Sequence, residues 1–529
     1  MTGSAAHSTS ALCSAVLLLA ILAGPTAAQE QTLVVGESFS LKSLDPGRTL
    51  TLTTVMVGHS VYDSLLTFEG DDTRTPRPSL ATGWSVSSDA RIYTFRLRPN
   101  VRFSSGNPLT SADVKWSLER AKNLKSTSGL LLATVQEVTA PDTLTVVLRL
   151  AAPNPALLAI LTSPGLAILD STLLIAHGGD AGPQANERDG AERFLNGQSA
   201  GTGAYVLQRY VPDQEVVLAP NPNHWRGQPR LDRIVIRHVP EPIIRRQLVE
   251  RGDLDIALDL DRDHVEALRA APGVTVRTRL LPSSMAVLLN NDPQVGGAFA
   301  NPKVQEAVRY ALDYDGILAL AAPGSVRLAG VIPSGLAGAL DPGEAIRMDR
   351  DRARTLLREA GLPAVTGTIT FAADRSVHGL DLRLLAQKVQ ADLAAVGMSV
   401  SLNGLPRPLA LRLYQDGKNQ IGLASWMADY PDATNFLVYA PGRVVGRRVG
   451  WPADASPAAQ ELARLAQEAE SESDAARRVA LLVRFQRGIT RAGPYVMLFQ
   501  PASGYAFRST VQGVTSHPVW SIDFWTVSK

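Results

Sequence analysis

The chain has 529 residues, 45% of them hydrophobic, with a formal net charge of +2. That is enough apolar material for several domains, and the near-balance of charge provides no basic field for nucleic acid. The one cysteine, Cys13, lies in a segment expected to be removed, which excludes disulfides, zinc–thiolate sites and cysteine nucleophiles from the rest.

The first 28 residues end in an apolar run, "AVLLLAILAG", followed by "PTAA". This order predicts a secretory signal cleaved near Ala28 and an exported, soluble mature chain. The run is too short for a stable membrane-spanning helix, although the leader lacks the usual Lys or Arg. Beyond it, "RIYTFRLRP" puts Tyr93, Phe95 and Leu97 on one face, and "DTLTVVLRL" does the same with Leu144, Val146, Leu148 and Leu150, predicting half-buried strands. Between them, "TSADVKWSLERA" opens with a capping box, Thr110 and Asp113. The turn-rich "HGGDAGPQANERDG", residues 177–190, is expected to be a surface insertion.

Further along, "NPKVQEAVRYALD" has Asn301 as N-cap and Pro302 at the first helical position, with Val304, Ala307, Val308, Ala311 and Leu312 on one face. "DRDRARTLLREAG" and "LDLRLLAQKVQADLAAVG" predict helices that stop at Gly361 and Gly397. Two more helices are expected near 456–470 and 474–492, then a strand, "PYVMLFQ". Mixed α/β order of this kind favours a large α/β binding or enzymatic architecture.

Catalytic motifs are weak. "GQSAG", residues 197–201, matches the G-x-S-x-G elbow of hydrolases, but a helical pattern precedes Ser199 and a strand pattern follows it, the inverse of the elbow. Beyond the leader the histidines are dispersed, and no Walker A or dinucleotide fingerprint is present. "WMADYPDATNF", residues 426–436, places Asp429 and Asp432 among aromatic and apolar side chains. A carboxylate so placed needs a cation or donors: an internal arginine such as Arg443, Arg447 or Arg448, a catalytic proton, a metal, or a ligand. Asp432, before Ala and Thr, reads as a cap or turn residue.

"LATGWSVSSDARIYTFRLRPNVRFSSGNPLTSADVKWSLERA", "GTGAYVLQRY", "NPNHWRGQPRLDRIVI", "RGDLDIAL", "NPKVQEAVRYALD" and "DRARTLLREAGL" together resemble the periplasmic solute-binding proteins of peptide and nickel ABC importers, family 5 of the extracellular solute-binding proteins. Ala204 stands where the family's "GTGPY" has proline, and His224 where a tyrosine is usual. The resemblance implies a two-lobed α/β fold closing on ligand by hinge motion. Lobe I is expected from residues 29–67, 204–283 and 497–529, an extra domain from 68–203, and lobe II from 284–496.

It also implies a non-enzymatic, monomeric receptor without cofactor or metal, which captures short peptides or another amine-bearing solute and delivers it to an inner-membrane permease. By this resemblance Asp429, in "WMAD", matches the aspartate that takes a peptide's α-ammonium, and "IGLASW" is the strand that delivers it. Arg375 falls in the loop where dipeptide receptors carry a carboxylate-binding arginine, with an exposed loop arginine as the alternative. Trp426 and Tyr430 are candidate pocket walls, with core packing as the alternative for Trp426. Asn290 and Asn291 fall where the family places cleft-facing groups, with a plain turn as the alternative. Opine, nickel-chelate, oligosaccharide and haem receptors are the rivals within the family. A secreted hydrolase using Ser199 or the Asp429/Asp432 pair is the rival outside it.

Overall fold

The computed structural model describes residues 1–4, 30–39, 41–362, 365–374 and 376–529. The expected leader therefore lies almost wholly outside the described residues, as does Arg375. Gln31–Lys529 form one unit.

Two mixed sheets and one smaller antiparallel sheet organise that unit. The first has seven strands, in the order Val274–Leu280, Ala502–Arg508, Ile256–Leu260, Thr32–Glu37, Arg233–His238, Glu215–Pro220, Tyr205–Val211. The second has six, in the order Val326–Arg327, Tyr495–Gln500, Ser283–Leu289, Ile421–Met427, Val365–Ala372, Met398–Leu405. The third, of four strands between Ala81 and Leu150, is the sheet of the extra domain.

The alternation read in the sequence is what fills the cores. Tyr93, Phe95 and Leu97 are buried on one face of the small sheet, with Val146, Leu148 and Leu150 on the neighbouring strand. The helix Pro302–Ala311 has its Asn301 cap bonded to the Lys303 amide, and it buries Val304, Ala307, Val308 and Ala311 against the second sheet. The helix Ser111–Asn123 begins with the Thr110/Asp113 capping box. Helices also form over Pro457–Ser471 and Ala475–Ala492.

The chain passes between the large sheets twice, at Leu281–Pro282 and at Pro501. The two crossings run side by side: the Leu281 amide donates to the Pro501 carbonyl at 2.9 Å, and the Gln500 side-chain amide donates to the Leu281 carbonyl at 2.9 Å. The expected boundary at 496/497 falls inside the Tyr495–Gln500 strand, which belongs to the second sheet, so that crossing sits four residues later.

The extra domain also ends earlier than position 203. Its core runs from Leu65 to Ile168, whereas Leu174, Ala191, Leu195 and Ala200 pack into the lobe I core. Nor is the 177–190 segment a simple surface insertion. The Asp189 side chain is buried and accepts from Arg120 at 2.7 and 2.9 Å and from Arg48 at 2.9 Å, while Arg120 also grips Asp45 at 2.5 and 3.0 Å. Turn-forming composition marked it as loop; a single acid anchors it inside.

Candidate functional site

The site is built where lobe II strands end. Ser283–Leu289 runs antiparallel to Ile421–Met427, so that Ser283 faces Met427 and Ser284 faces Trp426. Val365–Ala372 runs parallel to both Ile421–Met427 and Met398–Leu405. Three strands thus present their carboxyl ends at one edge, the position where open α/β sheets bind ligands. The Ala428 amide bonds to the Pro282 carbonyl at 2.8 Å, which fixes the turn that carries Asp429 beside the interlobe crossing.

Asp429 is half-buried and bears no ion pair: among the described residues no lysine or arginine nitrogen lies within 4 Å of its carboxylate. Among the described residues its one side-chain hydrogen-bond partner is the Asn435 amide, 3.5 Å from Oδ2, a long contact. The Trp426 indole donates to Asn435 Oδ1 at 2.8 Å. Because an indole N–H can only donate, it fixes the Asn435 amide with its NH2 toward Asp429. Burial pushes the Asp429 carboxyl above the usual carboxylate range, and the Asn435 contact offsets this in part.

The internal arginines are engaged elsewhere. Arg443 pairs with Glu470 at 2.5 Å, Arg447 donates to the Gly442 carbonyl at 2.7 Å, and Arg448 lies over the Tyr414 ring. Asp432 caps the short helix Ala433–Tyr439 through the Thr434 amide and is clamped by Arg478 at 2.5 and 3.1 Å. The two acids of "ADYPD" therefore have opposite circumstances: Asp432 is neutralised internally, Asp429 is not.

Tyr430 crosses the cleft. Its ring packs against the core of the extra domain, and its hydroxyl stands 3.4 Å from Thr434 Oγ1. Trp426 packs against the lobe II core while its indole N–H serves the site. A second interlobe contact is made by the hairpin Ser376–Asp381, where Gly379 (φ +75°) lies on Leu260 and Asp261. A Cβ there would approach the Asp261 Cα to 3.1 Å, so the contact requires glycine.

Two features were missed by sequence reasoning. One is Asn435, which no motif marks. The other is a cluster of Ser283, Ser425 and His378: the serine hydroxyls are 2.8 Å apart, and His378 Nε2 lies 2.9 Å from Ser425 Oγ and 3.3 Å from Ser283 Oγ. The register Ser283 with Met427 is the signal that could have found them, but strand pairing over about 140 residues is not readable from local pattern.

Asn290 and Asn291 are not part of the site. They lie at the far end of the Ser283–Leu289 strand, roughly 20 Å from Ser283 at ~3.3 Å per residue. Asn290 is buried, donating to the carbonyls of Gly417 and Asn419 at 3.0 Å each, and Asn291 accepts from Gln305 at 3.3 Å. Ser199 sits in a loop between the short helix Glu192–Leu195 and the strand Tyr205–Val211, with its hydroxyl accepting from the Leu207 amide at 3.1 Å. A separate cavity of about 530 Å³ between lobe I and the extra domain, lined by His59, Asp63, His224, Arg226 and Asp523 among others, does not reach the Trp426–Asn435 segment. Among the described residues no group of three or more His, Cys, Asp or Glu could hold a metal ion.

The family model described as bacterial extracellular solute-binding proteins, family 5 middle, matches residues 75–443. Di/tripeptide-binding protein 2 of Pseudomonas aeruginosa (strain UCBPP-PA14) is 30% identical over 543 residues, covering 97% of this chain and 98% of that protein. The probable D,D-dipeptide-binding periplasmic protein DdpA of Escherichia coli (strain K12) is 25% identical over 498 residues, covering 93% of each chain. Among solved structures, the ABC transporter-associated periplasmic binding protein DppA of Helicobacter pylori, in complex with the peptide STSA, is 25% identical. It superposes with a TM-score of 0.78 over 94% of this chain and 98% of that one.

Proposed function

Because the chain belongs to family 5 of the bacterial extracellular solute-binding proteins, we propose that it is the substrate-binding component of an ABC importer and takes di- and tripeptides between its lobes. On this reading the leader of residues 1–28 exports the chain to the periplasm, and a membrane permease is the partner to which cargo passes. The receptor performs no covalent chemistry; its work is binding energy coupled to closure.

The observation that carries the proposal is the unpaired Asp429. A carboxylate moved from water into a half-buried wall without a counter-ion destabilises the protein that holds it. It is tolerable if water reaches it when the lobes part and a ligand's ammonium replaces that water when they close, since exclusion of solvent strengthens the pair. The match of "WMAD" to the amine-binding aspartate of peptide receptors gives the same assignment. Tyr430 and Trp426 line the wall beside it, and Asn435 holds the carboxylate's orientation. For the peptide's carboxylate the resemblance offers Arg375, whose guanidinium fork suits two oxygens.

The test is calorimetric titration of the purified full chain with dialanine, trialanine and their N-acetylated counterparts. The free amines should bind at least 30-fold more tightly than the blocked peptides. Equal binding of blocked and free forms would remove the amine assignment, and turnover of a peptide would remove the non-enzymatic one.

A further inference from the structure

The cavity between lobe I and the extra domain opens at the edge of the first sheet that faces away from the cleft. Strands Thr32–Glu37 and Ile256–Leu260 run parallel and carry their carboxyl ends toward the crossings, since Leu260 pairs with Gly504 and Leu280 with Ala502. Glu215–Pro220 runs antiparallel to Arg233–His238, so Pro220, Ala204 and the loop carrying His224 lie beside the amino end of Thr32–Glu37. The length of that six-residue strand, ~20 Å at ~3.3 Å per residue, separates the two edges. The end of the helix Leu52–Val61 brings His59 and Asp63 to the same edge, and the pair Leu66–Thr67 and Arg77–Pro78 closes it from the extra domain. The cavity of about 530 Å³ falls within the roughly 300–1,000 Å³ of small-molecule sites.

Two departures from the family's usual sequence meet here. Ala204 stands for a proline and His224 for a tyrosine; both line the cavity, and each is smaller than the residue it replaces. His224 is 8% exposed, and its Nδ1 lies 2.9 Å from the Thr202 carbonyl. A carbonyl only accepts, so Nδ1 carries the hydrogen and Nε2 presents a lone pair. That lone pair is buried without a partner, which costs about 1–3 kcal/mol until a donor reaches it.

The other polar groups are also open to a ligand. Asp63 Oδ2 accepts from Thr202 Oγ1 at 2.7 Å and from the Trp225 indole at 3.0 Å, which leaves Oδ1. Asp523 Oδ1 accepts from the Trp525 amide at 3.0 Å and stands 3.8 Å from His59 Nε2. Burial lowers both His59 and His224 below the ordinary imidazole value, so both are neutral at pH 7. The lining then holds three acids, Asp63, Glu69 and Asp523, against two arginines, Arg77 and Arg226. That excess of negative charge disfavours an anion, and among the described residues no group could hold a metal ion. An organic cation is disfavoured as well: the Arg226 guanidinium already lies over the Trp225 ring at 4.6 Å and 5.9 Å from the Trp525 ring, the faces such a cation would use. Hydroxyl groups, which both donate and accept, match a lining of acids, neutral imidazoles and a guanidinium.

We infer that this cavity is a second ligand site, which takes a neutral polyhydroxyl compound of mono- or disaccharide size. Its hydroxyls donate to Asp63, Asp523 and His224 and accept from Arg226, and the Trp525 ring forms the apolar wall. The site is independent of the peptide function proposed above. Both of its walls belong to parts joined by the buried Asp45–Arg120–Asp189 contacts, so it keeps its shape whether the interlobe cleft is open or closed.

The experiment is saturation-transfer NMR of the purified full chain with glucose, N-acetylglucosamine, sucrose and trehalose, with putrescine as the cationic control and circular dichroism to verify folding. At least one sugar should receive saturation, and added trialanine should not displace it. The double variant Ala204→Pro, His224→Tyr refills the cavity with the family's usual residues and should weaken that sugar roughly 10-fold or more, the worth of a hydrogen bond to a charged group. Asp63→Asn keeps an acceptor for Thr202 and Trp225 but turns the free oxygen into a donor, and should weaken it to a similar extent. Absence of transfer to every sugar, displacement by trialanine, or unchanged binding in Asp63→Asn would overturn the inference. Displacement of the sugar by putrescine would overturn the hydroxyl assignment. If the double variant does not fold, Asp63→Asn decides. A wild type that binds sugar but not trialanine would overturn the peptide function and leave this site standing.

Discussion

Replacing Asp429 by Asn separates a ligand-binding acid from a structural one, because the two give opposite signs of stability change. Asn keeps the shape and an acceptor oxygen but removes the charge. Truncating one partner of a desolvated, hydrogen-bonded charge pair costs about 2–5 kcal/mol in binding. Asp429 is half-buried and meets one amide at 3.5 Å, so the lower part of that range applies. A loss of about 2–3 kcal/mol corresponds to ~30- to 150-fold weaker binding of a free-amine peptide at 1.4 kcal/mol per decade.

In the ligand-free protein the effect reverses. Burial raises the Asp429 carboxyl in the folded state above its ordinary 3.8. As pH rises past 3.8 the unfolded chain loses its proton before the folded one, so stability declines through that window and stays reduced at neutral pH. Removing the charge therefore leaves the apo melting temperature unchanged or higher. Titration calorimetry gives the first number and scanning calorimetry of the ligand-free protein the second. Wild-type affinity in Asp429→Asn, or a fall in its apo melting temperature by several degrees, would refute the reasoning.

Asp432→Asn provides the contrast: it keeps the helix cap but breaks the Arg478 pair, whose side chains are 13% and 15% exposed, and should cost about 1–3 kcal/mol in urea unfolding with little change in affinity. Trp426→Phe removes the donor that orients Asn435 and should weaken peptide binding ~2- to 10-fold by calorimetry, the worth of one hydrogen bond. Arg120→Met leaves Asp45 and Asp189 buried against Arg48 alone and should cost about 3–5 kcal/mol in chemical denaturation. Glu37 sits at about 8 when folded against 4.5 otherwise; between those values the folded state holds a proton the unfolded chain has lost, so wild-type stability falls as pH rises. Glu37→Gln should flatten that decline in a pH series of unfolding curves.

Local pattern made most elements readable. Alternation identified the buried faces of Ile92–Leu97 and Thr145–Leu150, and Asn301–Pro302 marked the start of its helix to the residue, because caps and amphipathic faces are encoded within a few positions. Gly361 and Gly397 ended their helices with φ of +71° and +93°. What escaped was whatever depends on distant pairing. Asn290 and Asp429 both flank apolar strands, but the antiparallel register sends them to opposite edges of the sheet. Strand Ala502–Arg508 returns to the first sheet immediately after Pro501, a switch of partners that leaves no mark in periodicity. Asp189 looked like loop punctuation because its partners, Arg120 and Arg48, lie far away in sequence. Arg279 reads as one more charge on an edge strand, because the packing that buries its Nε and Nη1 without a hydrogen-bond partner comes from elements distant in sequence.

The Asp45–Arg120–Asp189–Arg48 knot also decides how many moving bodies there are. Its acids come from the lobe I segment after the first strand and from the loop beyond residue 177, while Arg120 belongs to the extra-domain helix Ser111–Asn123. Charges locked together out of water cannot part cheaply, so the small sheet rides with lobe I as one rigid jaw. If cargo is taken between the lobes, as proposed, its uptake and release is a single swing about the paired crossings at Leu281–Pro282 and Pro501, with the Tyr430 ring as the tooth that meets the opposite jaw.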